Sequence, residues 1–583
     1  MIRFPDTVPY PPANDHQLFI LYPLCMRAFL NKRKKILAAL LLLITAGGLF
    51  AYNESDRYFQ IAKNLDIFAA FYRELNTYYV DDLPPEKVMH RGIEAILEET
   101  DPFTDFVTEE NLDDLKFMAT GKYGGVGASI NKNGEWTTIT DVYEGSPMDK
   151  AGVKPGDIIV TMDGKSVKDT PQEEISKLLK GAPGTALDIL FRNPVSGKES
   201  PKKIIREEIN VKPVSYSGLV GKDVAYIRMT QFTENSGAMV RSAFQQLKQA
   251  NPGLKGVILD LRGNPGGLLD EAVVVSNIFV DKSKLIVSTK GKVKNWDRNY
   301  ETTEAPLDTH IPLAVLTNHS SASAAEIVAG AVQDLDRGLV IGQRSYGKGL
   351  VQTTRQLPYN TKLKVTTAKY YTPSGRCIQA IDYSHRNDDG SVDYVPDSLK
   401  KTFHTVNGRT VKDGGGIEPD TLVPPTYISQ VSATLLRKQF IFDYATSYYY
   451  SHPKVAPAAD FALTDEEFAD FERYLDNKDY SYKTRSEDAL ENFKNTARRE
   501  KYYDAVSKEL EQLEQKMKHD KKQDLLKNKI EIKRLLEEEI ANRYYSQHGR
   551  IAKSLVWDRE VTTAAAMLRD PALYKQALST SRK

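Results

Sequence analysis

Hydrophobic and polar positions change their period several times along this chain, and each change marks a different kind of structure. Between residues 56 and 118, Leu65, Phe68, Ala69 and Tyr72, then Val88, Ile93, Ile96 and Leu97, recur at steps of three and four, with Leu83-Pro84-Pro85 between them. Such steps place side chains on one face of a helix, so two or three helices are predicted. From residue 123 to about 211 the pattern shortens to alternating runs, TTITDVY, DIIVTMDG and ALDILFRN, broken by glycines and by one helical stretch at 172–180. A small β-rich module follows from that alternation. Between residues 224 and 425, the apolar runs VAYIRM, GVILDLR, IPLAVLT and GLVIG alternate with helical patterns at about 234–250, 268–279 and 324–333. Regular alternation of strand and helix predicts an α/β layer structure. Beyond about residue 427 the chain becomes rich in Lys and Glu, with Leu510, Leu513, Met517, Leu525, Ile530 and Leu535 at helical spacing. That tail reads as helical and without visible chemistry, and it is left open whether it forms a homo-oligomer, docks a partner or lies solvated; an amphipathic extension needs something to pack on, which favours the oligomer.

Ahead of these segments, Arg27, Lys32, Arg33, Lys34 and Lys35 precede the apolar run ILAALLLLITAGGLFAY, residues 36–52. A basic flank and an apolar run close to the roughly 17 to 25 residues that span a bilayer read as a signal peptide or a membrane anchor. Leu49 stands two residues before Ala51, where a small-x-small cleavage site would need a small side chain, which favours the anchor. Residues 1–25 are proline-rich and lack a period; they are read as lying upstream of a true start at Met26. At 583 residues the chain has room for three or four domains of about 150 residues each. The 79 basic and 78 acidic residues nearly cancel, which gives no reason to expect nucleic acid as a partner. Cys25 and Cys377 are too few for a disulfide framework or a CxxC metal site, and the nine histidines include no HExxH pair. No cofactor or metal is expected.

Two stretches point to capture of a chain end. In YGGVGASI, Gly124, Gly125, Val126 and Gly127 precede a strand, where successive backbone N–H groups can form a nest for a carboxylate. A tight hairpin would use the same glycines. Downstream, GSPMDKAGVKPGDIIVTMDGKSV, residues 145–167, resembles the most recognisable part of a PDZ domain, which implies that a substrate's C-terminus adds as a strand beneath the glycine loop. Arg192, at the end of ALDILFRN, is a surface charge or a link between this module and the rest.

Three further stretches point to chemistry. In NHSSASAAEIVAGAVQD, Ser323 sits where a strand ends and a helix begins, so free helical N–H groups would face an oxyanion formed beside its hydroxyl. Ser323 with Glu326 also matches a capping box, which serves stability alone. In RSYGKGLVQTT, Lys348 lies in a glycine-flanked turn entering a strand, with Leu350 and Gln352 on the same face by period two. A lysine acts as a base only when neutral, and bringing its pKa near 7 requires about 4 to 5 kcal/mol of burial or charge effects. Gln352 could hold the amine without adding a negative charge. In DLRGNPGG, the amides of Gly266 or Gly267 could give a second oxyanion donor beside Ala324. No Walker motif is present, and Pro265 stands where a GxSGG nucleophile would be, which removes a chymotrypsin-like reading.

The order of these motifs, ending in GGGIEPD at 414–420, resembles the carboxyl-terminal processing, or tail-specific, proteases of serine peptidase family S41, over about residues 60 to 425. The resemblance implies Ser323 as nucleophile, Lys348 as general base and Gln352 as its partner, on a core like those of crotonase and ClpP. The expected fold is multidomain α+β: helical 53–118, a PDZ domain at 119–211, a protease core at 212–426 and a helical extension at 427–583, behind residues 26–52. Expected partners are proteins with apolar C-terminal tails and the cytoplasmic membrane, with the enzyme on its periplasmic side. A noncatalytic envelope scaffold or chaperone is the alternative, and a crotonase-like hydratase lacks a reason to carry a PDZ module.

Overall fold

The computed structural model describes residues 57–387, 389–517 and 521–579; the expected start at Met26 and the anchor or signal at 26–52 lie outside them. No helix among the described residues is long and apolar enough to cross a membrane. Residues up to Ile96 form one unit. In it a helix at 57–78 precedes the helix Pro85–Glu98, whose first-turn proline suits a position with no intrahelical N–H bond to lose. Tyr72 Oη donates to Pro85 O at 2.5 Å and ties the two together.

Leu97 onward forms a second unit. Its β-rich module starts and ends on paired strands, Lys122–Gly125 against Glu207–Asn210, so the module is inserted into the chain by two adjacent strands. Between them lies a sheet in the order Ala128–Asn133, Trp136–Val142, Ile158–Met162, Ala186–Arg192, Glu199–Ile205, with the helix Gln172–Leu179 beside it. Val126, Ile139, Met148, Ile159, Ile175, Leu187 and Phe191 close its core, as the alternating pattern requires.

The α/β core is built on six strands in the order Val214–Val220, Val224–Met229, Gly256–Asp260, Leu313–Thr317, Leu339–Gly342, Thr421–Leu422. The first pair is antiparallel and the rest run parallel. The central runs are apolar at nearly every position because both faces are covered. On one face Ile227, Val257, Leu259 and Val315 pack against the helices Ser236–Ala250, Leu269–Asn277 and Ala324–Asp334. On the other, Tyr226, Ile258, Leu316 and Ile341 meet Ile551, Val561, Ala564, Leu568 and Tyr574 from the C-terminal helices. The core therefore does not close at residue 426: the helices Arg559–Arg569 and Pro571–Ser579 complete it. The boundary was invisible to the sequence pattern because amphipathic helices do not name the surface they cover.

Arg262 pins this cover. Its guanidinium donates to Asp260 Oδ2 at 2.6 Å and to both Asp558 carboxylate oxygens at 2.8 and 3.1 Å, and lies 3.3 Å from Glu560. The rest of the extension has its own core, in which Val431, Leu435, Ile441, Tyr444, Phe468, Phe471, Ile532, Leu536 and Ile540 are buried. The packing partner that an oligomer was expected to supply is thus found within the chain, although Leu513 and Ile530 stay exposed. The extension also touches the β-rich module, where Gln439 Nε2 donates to Lys132 O at 3.3 Å.

Replacing Asp558 by Ala leaves the Arg262 charge short of a partner in a nearly closed site. The expected cost is about 3 kcal/mol, read as a lowered urea midpoint, with Glu560→Gln costing less.

Candidate active site

Three parallel neighbours, Gly256–Asp260, Leu313–Thr317 and Leu339–Gly342, end at the same edge of the sheet. The turns that follow them therefore converge, and they carry the residues singled out above. Ser323, Ala324, Lys348, Gln352, Gly266 and Gly267 all line one cleft of about 330 Å³. His319, four residues before Ser323, is exposed and does not line it.

Ser323 precedes the Ala324–Asp334 helix with φ 55° and ψ −117°, a left-handed conformation that strains a residue with a Cβ. The strain is held from several sides: Glu326 Oε2 accepts the Ser323 N–H at 2.8 Å, and Tyr370 Oη donates to Ser323 O at 3.2 Å. The Ser323–Glu326 pair forms the capping box expected from the sequence, but Glu326 N–H is also held by Ser323 O at 2.8 Å, so that N–H keeps an acceptor when the hydroxyl turns away. Gly266 passes so close that a Cβ there would lie 2.8 Å from both Ala324 N and Ser323 Cβ. Only glycine fits at that approach, and its φ of 99° says the same.

The amides facing the Ser323 hydroxyl divide cleanly. Gly266 N–H is already committed to Asn264 Oδ1 at 2.9 Å, so it is not free to meet an oxyanion. Among the described residues, Ala324 N–H and Gly267 N–H find no acceptor. Of the two glycines expected to serve, Gly267 has the N–H without an acceptor among the described residues.

Lys348 is half-buried, and its Nζ lies 4.2 Å from the centre of the Phe103 ring. It makes no ion pair among the described residues. Burial pulls its pKa down to about 8, the charge of Lys364 pulls the same way, and Asp101 and Glu326 oppose them. A fraction of the amine is therefore neutral near physiological pH, as a base requires.

The expected alternation at Lys348, Leu350 and Gln352 is modified by a bulge between Val351 and Gln352, so that Leu350, Val351 and Gln352 all line the cleft. Gln352 Nε2 donates to Thr366 Oγ1 at 3.0 Å rather than to the lysine amine. Thr366 Oγ1 in turn donates to Asp101 Oδ1 at 3.1 Å, and Asp101 caps its own turn through the N–H groups of Phe103 and Thr104 at 2.9 and 3.1 Å. Asp101-Pro102-Phe103-Thr104 was missed in the sequence because it sits at the end of a helical pattern; a turn of the form D-P-x-T was the available signal.

Glu326 is the other residue whose role went beyond the expected cap. Its carboxylate is fully buried and receives four donors: Ser323 N–H and Lys348 N–H on Oε2 at 2.8 and 2.9 Å, Gly347 N–H and Ser345 Oγ on Oε1 at 2.7 and 2.5 Å. One side chain thus fixes the backbone of both the Ser323 and the Lys348 turns. Burial pushes its pKa up to about 7, against those four bonds, which pull it down.

In the β-rich module, Gly124 and Gly125 belong to the strand Lys122–Gly125 rather than to a loop, and a Cβ on Gly124 would lie 2.3 Å from Gly181 O. The turn itself is Val126-Gly127, with Gly127 at φ 74°. Gly127 N–H has no acceptor among the described residues, whereas the antiparallel bridge of Gly125 with Lys180 turns Val126 N–H toward Leu179 O. Arg192 is spent inside the module, bonding Glu199 at 3.0 Å and lying over Trp136 at 5.0 Å.

A hydroxyl beside a low-pKa amine and two unpartnered amides can support nucleophilic attack on a carbonyl. Comparison with known proteins agrees. The family model for peptidase family S41 matches residues 223–384, that for a PDZ domain matches 138–193, and that for the C-terminal helical domain of a probable PDZ-protease matches 431–568. The chain is 36% identical over 342 residues to a carboxy-terminal-processing protease of Bartonella bacilliformis, covering 58% of this chain and 77% of that one. It is 34% identical over 317 residues to a probable CtpA-like serine protease of Staphylococcus aureus, covering 54% of this chain and 62% of the relative. A solved photosystem II D1 C-terminal processing protease is 26% identical, covering 62% of this chain and 93% of that one, at a TM-score of 0.34.

Two substitutions test the cleft without presuming a substrate, using labelling of Ser323 by a fluorophosphonate followed by mass spectrometry. The labelling rate is expected to rise with pH about a midpoint near 8, the value to which burial lowers Lys348. Lys364→Met removes a repelling charge, so the Lys348 pKa and the midpoint move upward. Glu326→Gln puts an amide N–H₂ among four donors and displaces both turns; labelling should fall about 100-fold, the order of loss expected from roughly 1 Å of misplacement.

Proposed function

The chain belongs to the carboxy-terminal-processing proteases of peptidase family S41, and from that membership we propose that Ser323 and Lys348 are the catalytic dyad of this serine-type peptidase and that its PDZ domain captures substrate C-termini. One observation carries the dyad: a single cleft joins the Ser323 hydroxyl, the Lys348 amine, which has no ion pair among the described residues, and the amides of Ala324 and Gly267, which have no acceptor among them.

In the proposed reaction, neutral Lys348 takes the Ser323 proton as Oγ bonds to the scissile carbonyl carbon, and the carbonyl oxygen becomes an oxyanion bonded by Ala324 N–H and Gly267 N–H. Collapse of that intermediate breaks the C–N bond, and the ammonium of Lys348 gives its proton to the departing amine. Water, deprotonated by the regenerated neutral lysine, then attacks the ester and releases the acid. Phe103 offers the face of its ring to the lysine when the amine is charged. Gln352 acts through Thr366 and Asp101, by holding the strand that follows Lys348 against the Phe103 turn.

The open N–H of Gly127, at a turn of positive φ beside the strand Ala128–Asn133, supports binding of a terminal carboxylate, and the PDZ likeness supports an apolar last residue. The basic cluster and apolar run ahead of residue 53 support an address on the outer face of the bacterial cytoplasmic membrane, anchored or released after export.

The test compares the full chain with Ser323→Ala and Lys348→Ala, in mild detergent, on a loosely folded reporter ending in apolar residues or in Asp-Asp. Both variants are expected to lose cutting by at least 1,000-fold, the usual order for removing a nucleophile or its base, and the wild type to prefer the apolar tail. Undiminished cutting by a Ser323→Ala preparation free of other proteases would refute the dyad; binding of the apolar tail without cutting by any form would favour the scaffold.

A further inference from the structure

The strand Ala128–Asn133 pairs with Trp136–Val142 along one edge, and its other edge faces the helix Gln172–Leu179. This second edge is where a captured tail would add as a strand, with its carboxylate at Val126-Gly127 and its body running toward Lys132. Part of that edge is already occupied. Gln172 Nε2 donates to Ile130 O at 3.2 Å, while its Oε1 accepts from Lys132 N–H at 3.1 Å. One side-chain amide thereby takes a backbone group from each of two successive open positions of the edge, groups that two different residues of an antiparallel added strand would need. Lys132 O is taken as well, by Gln439 Nε2 from the helical extension at 3.3 Å, and Gln439 Oε1 is buried without a partner. Lys132 Nζ donates to Thr170 O at 3.1 Å and draws the segment before the helix onto the same end.

Open backbone groups in an extended pair recur every second residue. Counted from its C-terminus, the third tail residue would meet Ile130, where Gln172 holds the C=O but leaves the N–H, and the fifth would need the Lys132 N–H and C=O that the two glutamines hold. We propose that Gln172 and Gln439 plug the far half of the groove, so that the PDZ domain reads only the last three residues of a substrate tail, and that displacement of Gln172 is what admits a longer one. This rests on the tail-capture reading above. Its consequence is a loose specificity: any protein whose final three residues fit is a ligand, and sequence further back contributes little to binding.

The test uses the full chain carrying Ser323→Ala, in mild detergent, and fluorescein-labelled peptides of three, five and seven residues that share one apolar C-terminus. Fluorescence anisotropy should give dissociation constants within about twofold across the three lengths. Adding Gln172→Ala should tighten the five- and seven-residue peptides about five- to tenfold, since two neutral hydrogen bonds no longer compete, and the three-residue peptide by no more than about threefold, since only the bond to Ile130 O bears on it. Gln172→Glu, which keeps the acceptor for Lys132 N–H and loses the donor to Ile130 O, should fall between. A tenfold gain from three to five residues with Gln172 in place, or a length dependence that both substitutions leave unaltered, overturns the plug. Failure of every peptide to bind, or equal binding of peptides with an amidated C-terminus, overturns tail capture itself and the plug with it.

Discussion

A parallel sheet must be covered on both faces, and this requirement organises the second unit of the chain. Buried strands such as Gly256–Asp260 and Leu313–Thr317 cannot present a wet side, so helices have to come from both directions. One layer comes from the crossovers between strands, and the other from residues some two hundred positions downstream. Parallel direction has a second effect. It sends three successive strands to end at one edge, and the turns after Asp260, Thr317 and Gly342 bring Gly267, Ser323 and Lys348 to one cleft. Ligand sites at the carboxyl ends of parallel strands are a general outcome of that geometry.

Within the cleft, opposing electrostatic demands are met by neighbouring groups. In the proposed reaction Lys348 has to lose its proton, and the half-buried position over Phe103 together with Lys364 favours that loss. Glu326 has to accept four donors, which requires the ionised carboxylate, although complete burial works against ionisation. Its charge acts on Lys348 in the unwanted direction, but its oxygens meet the lysine's backbone N–H, so the charge is partly spent on the peptide groups it organises. Positioning is thereby achieved at a small electrostatic cost to the base.

Much of this was legible in the sequence. VAYIRM, GVILD, LAVLT and LVIG appear as strands almost residue for residue, because fully buried runs bounded by glycine or charge have few other solutions. The turns that carry Ser323 and Lys348 were legible because a strand-to-helix turn and a glycine-flanked turn each leave a local signature. What was not legible depends on distant partners. The Phe103 turn is placed by Thr366, more than two hundred and fifty residues away, and the bulge before Gln352 leaves no mark in the alternation. The role of the C-terminal helices was hidden for the same reason. Gly124 and Gly125 read as loop because glycine is ambiguous between a turn and a tightly packed strand, and only the proximity of Gly181 decides it.

The bond between Arg262 and Asp558 joins residues 296 positions apart, and it anchors the turn that carries Gly266 and Gly267 to the last cover of the sheet. Contacts of such separation form late, because the chain entropy lost in closing so long a loop has to be spent before the contact returns anything. A growing chain that has reached only Lys348 therefore holds every reactive group of the cleft while one face of its sheet is still bare. The turn that supplies Gly267 is not yet anchored, and the site is incomplete. Formation of the cleft thus waits on residues as far downstream as Asp558, and a chain cut short before them would carry Ser323 and Lys348 in a sheet with one face uncovered.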